Sequence, residues 1–112
     1  MKKLLYEISK LQLEEYKVQL HKKLFWLIIY KDEATCGDYP NLDFDKYFLG
    51  LMKELNGFNK ILCYPVEMLE IMNLLQAAYD ETLKDEFNYP IYRKLVFDAQ
   101  ALVDKLSIDR SK

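Results

Sequence analysis

The chain has 112 residues, of which 51% are hydrophobic, and this is enough for one domain with its own core. Gly and Pro number only three each and 30% of the residues are charged with both signs interspersed, which excludes a disordered or low-complexity chain. The formal net charge of −2 argues against a nucleic-acid partner held mainly through its phosphates. We therefore expect a single compact domain over residues 1–112.

Residues 4–31 contain neither Gly nor Pro and are rich in Leu, Glu, Lys and Gln, so they predict one long helix. Its apolar residues form two stripes on nearly opposite faces. One stripe is Leu4, Ile8, Leu11, Val18, Phe25 and Ile29, and the other is Leu13, Tyr16, Leu20, Leu24 and Leu27. Two readings stay open: this helix is the central one of a bundle, or it also pairs between chains as a homodimer.

After a loop over residues 32–41, the apolar spacing predicts three more helices, over 43–56, 65–84 and 90–106. Asp43 suits the N-cap of the second helix, Asn56-Gly57 its end, and Gly50 a close approach by another backbone. The expected core stripes are Phe44, Tyr47, Phe48, Leu51 and Leu55, then Met68, Ile71, Met72, Leu75, Tyr79 and Leu83, then Ile91, Leu95, Val96, Ala99, Leu102, Val103 and Leu106. The prediction is an all-α antiparallel four-helix bundle with a long N-terminal helix.

The cellular location is expected to be the cytoplasm. The basic start meets Glu7 before an apolar stretch forms, which is not typical of an export signal. The longest apolar run, residues 24–30, is far shorter than the roughly 20 residues of a membrane-spanning helix. Cys36 and Cys63 are more often free thiols than a disulfide in such a chain.

Few residues in the chain could take part in catalysis or bind a metal ion. The only histidine, His21, is expected on an exposed helix surface beside Lys22 and Lys23. Two cysteines 27 residues apart match no zinc spacing, and the three isolated glycines form no phosphate-binding pattern. We therefore predict no catalytic residue, no metal and no cofactor.

One carboxylate pair supports an enzyme as the alternative. Glu67-x-x-Glu70 resembles the first half of the magnesium-binding motif of MazG-type nucleotide pyrophosphohydrolases. The second half, Glu-x-x-Asp, is not matched, because Lys84 stands three residues after Glu81 and Asp85 comes one residue late. A magnesium-dependent nucleotide hydrolase built on these four carboxylates remains the first alternative, and a solvated helix face is the preferred interpretation.

A nucleic-acid-binding regulator is the second alternative. The basic residues that would serve it are Lys17, His21, Lys22, Lys23, Arg93, Lys94, Arg110 and Lys112. They are dispersed along the chain, and Glu14 and Glu15 lie close to the first group. A solvated surface is favoured over a nucleic-acid site.

Protein recognition is the function that the sequence favours. Nine tyrosines, six phenylalanines and one tryptophan are many for one small core, and the segment around the first loop interleaves rings with carboxylates. The residues chosen as an interaction surface are Trp26, Tyr30, Tyr39, Asp43, Asp45 and Tyr47. An alternative stays equally open: the rings point into the core, and the acidic side chains are simply solvated.

The predicted function is that of a non-enzymatic interaction module, a small inhibitor, immunity or regulatory protein that covers a basic partner. In size and helical character the chain is similar to bacteriocin immunity proteins and phage-encoded inhibitors, and this likeness concerns the fold class alone.

Overall fold

The structure is a computed structural model that describes residues 9–32, 35–62 and 64–106, and all regular structure in these ranges is helical. The four α-helices are α1 (Lys10–Lys31), α2 (Phe44–Ile61), α3 (Val66–Thr82) and α4 (Tyr89–Val103). A single 3-10 turn, Cys36–Asp38, lies in the connection between α1 and α2. The predicted all-α class and the number of helices are confirmed.

Helix α1 begins later than predicted. Ser9 has extended backbone angles, and its hydroxyl accepts a hydrogen bond from the Gln12 amide at 3.0 Å while its own amide donates to the Gln12 side chain at 2.8 Å. This reciprocal capping box ends the helix on its N-terminal side. The predicted start at Leu4 is therefore wrong, and Leu4 and Ile8 lie outside the described residues. With 22 residues, α1 is still the longest of the described helices.

Helix α2 continues past its predicted end at Asn56. Gly57 keeps a helical backbone, and one residue later the Phe58 ring stacks on Tyr16 of α1 with ring centroids 3.7 Å apart. This packing outweighs the weak helix propensity of Gly57, so the prediction of a C-cap there is wrong. The expected backbone contact at Gly50 is also absent, since a Cβ added there would meet nothing within 4 Å.

Neighbouring helices run antiparallel, because the start of each contacts the end of the next. These contacts are Tyr16–Phe58 and Tyr30–Tyr47 between α1 and α2, Phe48–Tyr79 between α2 and α3, and Tyr92–Leu27 and Lys17–Asp104 between α4 and α1. Helices α3 and α4 pack most extensively, and α1 and α2 least. The result is the expected antiparallel four-helix bundle.

One apolar cluster fills the space between the helices. Its buried members are Leu13, Leu20, Leu24, Leu27, Ile28, Phe48, Leu51, Leu55, Leu62, Met68, Ile71, Leu75, Ala78, Tyr92, Val96, Ala99, Val103 and Leu106. Two predicted core residues are wrong: Leu83 is 63% exposed because α3 ends before it, and Ile91 is 48% exposed. Tyr92, which the pattern missed, takes the inward position in the first turns of α4.

Candidate functional site

Four of the six residues chosen from the sequence form one cluster of rings, here called the aromatic cluster. It consists of Trp26, Tyr30, Tyr39 and Tyr47. Tyr30 lies at its centre, with ring centroids 5.5 Å from Trp26, 5.2 Å from Tyr39 and 5.3 Å from Tyr47. Trp26 and Tyr39 also meet edge to face at 5.8 Å. These separations are those of attractive aromatic pairs.

Three elements bring these rings together. Trp26 and Tyr30 are one turn apart on α1, Tyr47 lies in the first turn of α2, and Tyr39 follows the 3-10 turn between them. The turn is held against α1 by the Thr35 hydroxyl, which donates to the Ile29 carbonyl at 2.7 Å. The cluster is therefore built by the way the chain reverses after α1.

The rings are neither fully buried nor free. Trp26 is 38% exposed, and the three tyrosines are half-buried. The Tyr47 hydroxyl donates to the Lys23 carbonyl at 3.1 Å, and burial, with Tyr30 and Glu54 nearby, raises the pKa of Tyr47 to about 12. The Tyr47 hydroxyl therefore stays neutral at physiological pH, and the cluster offers a partner apolar ring area with polar edges.

The two chosen carboxylates, Asp43 and Asp45, lie beside α3 and not on the aromatic cluster. Asp43 is the N-cap of α2, where its side chain accepts from the Lys46 amide at 3.0 Å. Asp45 accepts a hydrogen bond from the Tyr79 hydroxyl at 2.9 Å. This bond, together with the negative charges of Asp43, Asp45 and Asp80, raises the pKa of Tyr79. Asp43, Asp45 and Asp80 form an acidic patch around Tyr79.

The aromatic cluster and the acidic patch lie at the same end of the bundle, which we call the loop end. The α3–α4 connection is also there, since the Tyr89 hydroxyl donates to Asp32 at 3.3 Å and the Tyr92 hydroxyl to the Leu27 carbonyl at 2.6 Å. A surface cavity of about 690 Å³ separates the end of α1 from this connection. Its lining is Lys31, Asp32, Glu86, Phe87, Asn88, Tyr89 and Pro90.

The loop end carries a surplus of negative charge. Among the described residues, its exposed carboxylates are Asp38, Asp43, Asp45, Asp80, Asp85 and Glu86, and its exposed cations are Lys46, Lys84 and Arg93. Arg93 lies over the Tyr89 ring, 5.7 Å from its centroid, and the half-buried Lys31 lies over the Phe44 ring at 4.2 Å. Cations already pack on rings at this end, which is the contact that a basic ligand would make.

Sequence reasoning missed the contribution of the α3–α4 connection. The apolar spacing predicts Tyr79 only as part of a core stripe, and it predicts no surface role for Glu86, Phe87 or Tyr89. The usable signal was topological: in an antiparallel bundle the first and third connections lie at the same end. The acidic and aromatic character of residues 85–89 then adds to that of residues 38–47.

The carboxylates of the enzyme alternative lie at opposite ends of α3. Glu67 and Glu70 lie in its first turns, and Glu81 in its last, so Glu70 and Glu81 are about 16 Å apart along the axis. Glu81 is buried, accepts from the Asn88 amide at 3.0 Å, and pairs with Lys84 at 3.0 Å. Within residues 9–32, 35–62 and 64–106, no group of three His, Cys, Asp or Glu side chains could hold a metal ion.

Three of the described lysines of the nucleic-acid alternative donate hydrogen bonds to acceptors within the chain. Lys17 donates to the Asp104 carbonyl at 3.1 Å, Lys23 to Glu54 at 2.7 Å, and Lys94 to Asp98 at 2.9 Å. His21, predicted to be exposed, is half-buried and lies 2.9 Å from an Asp104 carboxylate oxygen. Cys63, Arg110 and Lys112 lie outside the described residues.

Comparison with known protein families, characterised proteins and solved structures finds no match. In the part of the chain that the structure describes, no helix is both long and apolar enough to span a lipid bilayer.

Proposed function

We propose that the protein is a non-enzymatic protein-binding module, of the inhibitor, immunity or regulatory type, whose loop end covers a basic segment of a partner protein. The observation that carries the proposal is the surplus of exposed carboxylates around partly exposed rings at one end of the bundle. The proposal includes a cytoplasmic location, on the sequence argument that the two cysteines are free thiols.

Charge defines the kind of partner. Carboxylates on both sides of Tyr79 and along the α3–α4 connection would pair with Lys or Arg side chains and would attract a basic surface over several ångströms. Arginine fits best, because its planar guanidinium pairs with carboxylates and also stacks on rings.

The rings supply the apolar part of the contact. Trp26 and the three tyrosines present area that is already ordered by ring-to-ring contact, so binding would cost little side-chain entropy. Trp and Tyr are the usual anchors of protein interfaces.

The chain provides its own reporter for the first test, since Trp26 is its only tryptophan and lies in the aromatic cluster. A short arginine-rich peptide should change Trp26 emission in a saturable way that weakens with added salt, and a glutamate-rich peptide of equal length should not. Asp43→Asn plus Asp45→Asn should weaken binding by about threefold to tenfold, since exposed ion pairs are individually weak. Asn retains the N-cap at position 43.

The matched control is Glu67→Gln plus Glu70→Gln, which removes two carboxylates from the opposite end of the bundle and should leave the affinity unchanged. Tyr39→Ala should weaken binding, whereas Tyr64→Ala should not, because Tyr64 is exposed in the α2–α3 connection. Equal binding of both peptides, or equal loss in both double variants, would contradict a role for the loop end.

A further inference from the structure

Helix α1 carries an exposed apolar line on the side that faces away from the core. Leu11 is 69% exposed, Val18 53% and Phe25 47%. These residues are seven apart, so they fall on one face with a drift of only about 20° per step. They belong to the first of the two stripes seen in the sequence. The second stripe, with Leu13, Leu20, Leu24 and Leu27, is the buried one.

Charged residues flank this line, with the acids towards its N-terminal end and the bases towards its C-terminal end. Glu14 and Glu15 lie on the N-terminal side of Val18, and Lys22 lies on the C-terminal side with the half-buried His21. Helical geometry puts Glu15 and Lys22 on one flank of the line, and Glu14 and His21 on the other. Glu15 and Lys22 are both exposed, and no ion pair is recorded for either in the described part of the chain. Glu15 and Lys22 therefore give one flank of the face an acid in its N-terminal half and a base in its C-terminal half. On the other flank, Glu14 lies 3.4 Å from Lys17 and His21 lies 2.9 Å from Asp104 within the same chain.

We propose that this face binds a second copy of the chain, with the two α1 helices antiparallel and the two-fold axis at Val18. In that arrangement Val18 meets the partner's Val18, and Leu11 meets the partner's Phe25. Glu15 meets the partner's Lys22 on one flank, and Glu14 meets the partner's His21 on the other. Each apolar residue is covered, and the exposed Glu15 carboxylate lies against the partner's Lys22.

The charge order selects this orientation. A parallel pair would bring Glu15 against the partner's Glu14, so like charges would face each other. The antiparallel pair reverses one helix and replaces this repulsion by the attraction between Glu15 and the partner's Lys22. It also places opposite ends of the two helix dipoles side by side.

The size of the face sets the expected strength. From Leu11 to Phe25 the contact runs for about 21 Å of helix, with one apolar side chain every second turn. That is short of the interface of an obligate dimer, and it fits a reversible association that depends on protein concentration. The proposal does not rest on the proposed function, because its apolar line and its charges lie along α1 and use no residue of the loop end. The two surfaces adjoin at Phe25, whose ring meets that of Trp26 edge to face with centroids 6.4 Å apart.

Sedimentation equilibrium over a concentration series tests the dimer. The wild-type chain should pass from monomer to dimer, and Val18→Asp should raise the dissociation constant by at least about tenfold. Gln19→Asp adds the same charge to an exposed position off the line and should change it little. Circular dichroism should show an unchanged fold, because neither side chain is buried. A wild-type chain that is monomeric at every concentration would overturn the proposal.

Cysteine cross-linking tests the orientation. In a Cys36→Ser, Cys63→Ser background, Val18→Cys should form a disulfide dimer on oxidation, because the two copies meet at that residue. Leu11→Cys alone should not, whereas a mixture of Leu11→Cys and Phe25→Cys chains should cross-link. Efficient cross-linking of Leu11→Cys with itself would indicate a parallel pair and overturn the proposal.

A charge exchange tests the flanks. Glu15→Lys should weaken the dimer by placing a lysine against the partner's Lys22, and Glu15→Lys with Lys22→Glu should restore it. Failure of the exchange to restore association would show that these charges do not face each other.

Discussion

The two faces of α1 carry the same kinds of side chain and have opposite environments. On the inner face Leu20 and Leu24 are completely buried in the core of the bundle, whereas on the outer face Leu11 and Val18 are more than half exposed. Both faces follow from helical spacing, and spacing does not say which of them the rest of the chain will cover. The difference teaches that a second apolar stripe on a helix can be a surface in its own right.

The largest expected effect comes from making the same substitution, Leu to Ala, on the inner and the outer face of α1. Leu20→Ala should lower the free energy of unfolding by about 2–5 kcal/mol, because it leaves a cavity in a closely packed core. Leu11→Ala should change it by less than about 0.5 kcal/mol in the monomer. Urea denaturation at the lowest protein concentration that fluorescence allows would measure both. Equal losses would mean that the outer face is packed within the monomer.

The contrast between inner and outer positions extends to tyrosine hydroxyls. Tyr92→Phe removes the bond to the Leu27 carbonyl that ties α4 to α1, and should cost about 1–2 kcal/mol. Tyr64→Phe, at a side chain that is 64% exposed, should be close to neutral. The melting temperatures of the two variants would test this difference. Similar decreases in both would show that the Tyr92 hydrogen bond contributes no more than the exposed Tyr64 hydroxyl.

The smallest effect concerns two adjacent carboxylates, Asp80 and Glu81. The Lys84 side chain and the Asn88 amide hold the pKa of Glu81 below its ordinary value of 4.5. Because the folded-state pKa is lowered, this stabilisation is present above pH 4.5 and is lost as the pH falls through the lower folded value.

The corresponding measurement is the urea midpoint between neutral and acidic pH. Glu81→Gln should be less stable than the wild type at neutral pH, and the gap should narrow as the pH falls below 4.5. Asp80→Asn removes the same charge from an exposed position and should follow the wild-type profile more closely. A constant gap for Glu81→Gln at every pH would indicate that lost packing, and not the charge, is responsible.

Much of the fold could be predicted from the sequence because helical periodicity and helix-breaking residues are local signals. The buried faces of α2 and α3 follow their spacing, with Phe48, Leu51 and Leu55 in one and Met68, Ile71 and Leu75 in the other. The ends of the helices were harder to predict. The Ser9–Gln12 capping box is a local signal for the start of α1, whereas Gly57 is helical because Phe58 packs on Tyr16, a contact between residues far apart in the chain.

The candidate site was predicted in part. The choice of Trp26, Tyr30, Tyr39 and Tyr47 selected rings that do lie together, because all four are near the reversal between α1 and α2. Asp43 and Asp45 were expected beside them and lie on the α3 side. Asp45 is two residues from Tyr47 and so points about 200° away from it around α2. Asp43 is the extended N-cap residue, and its side chain is held by the Lys46 amide.

By itself, the sequence of this protein determined which residues are helical and which share a helix face, because propensity, capping and the 3.6-residue period act over a few neighbouring positions. Only the tertiary structure decided that the stripe of Leu13, Leu20 and Leu24 is buried and that of Leu11, Val18 and Phe25 is exposed. It also decided that Asp43 and Asp45 lie beside Tyr79 of α3 and not on the aromatic cluster. Both outcomes depend on how four helices cover one another, and that balance of burial is a property of the whole chain.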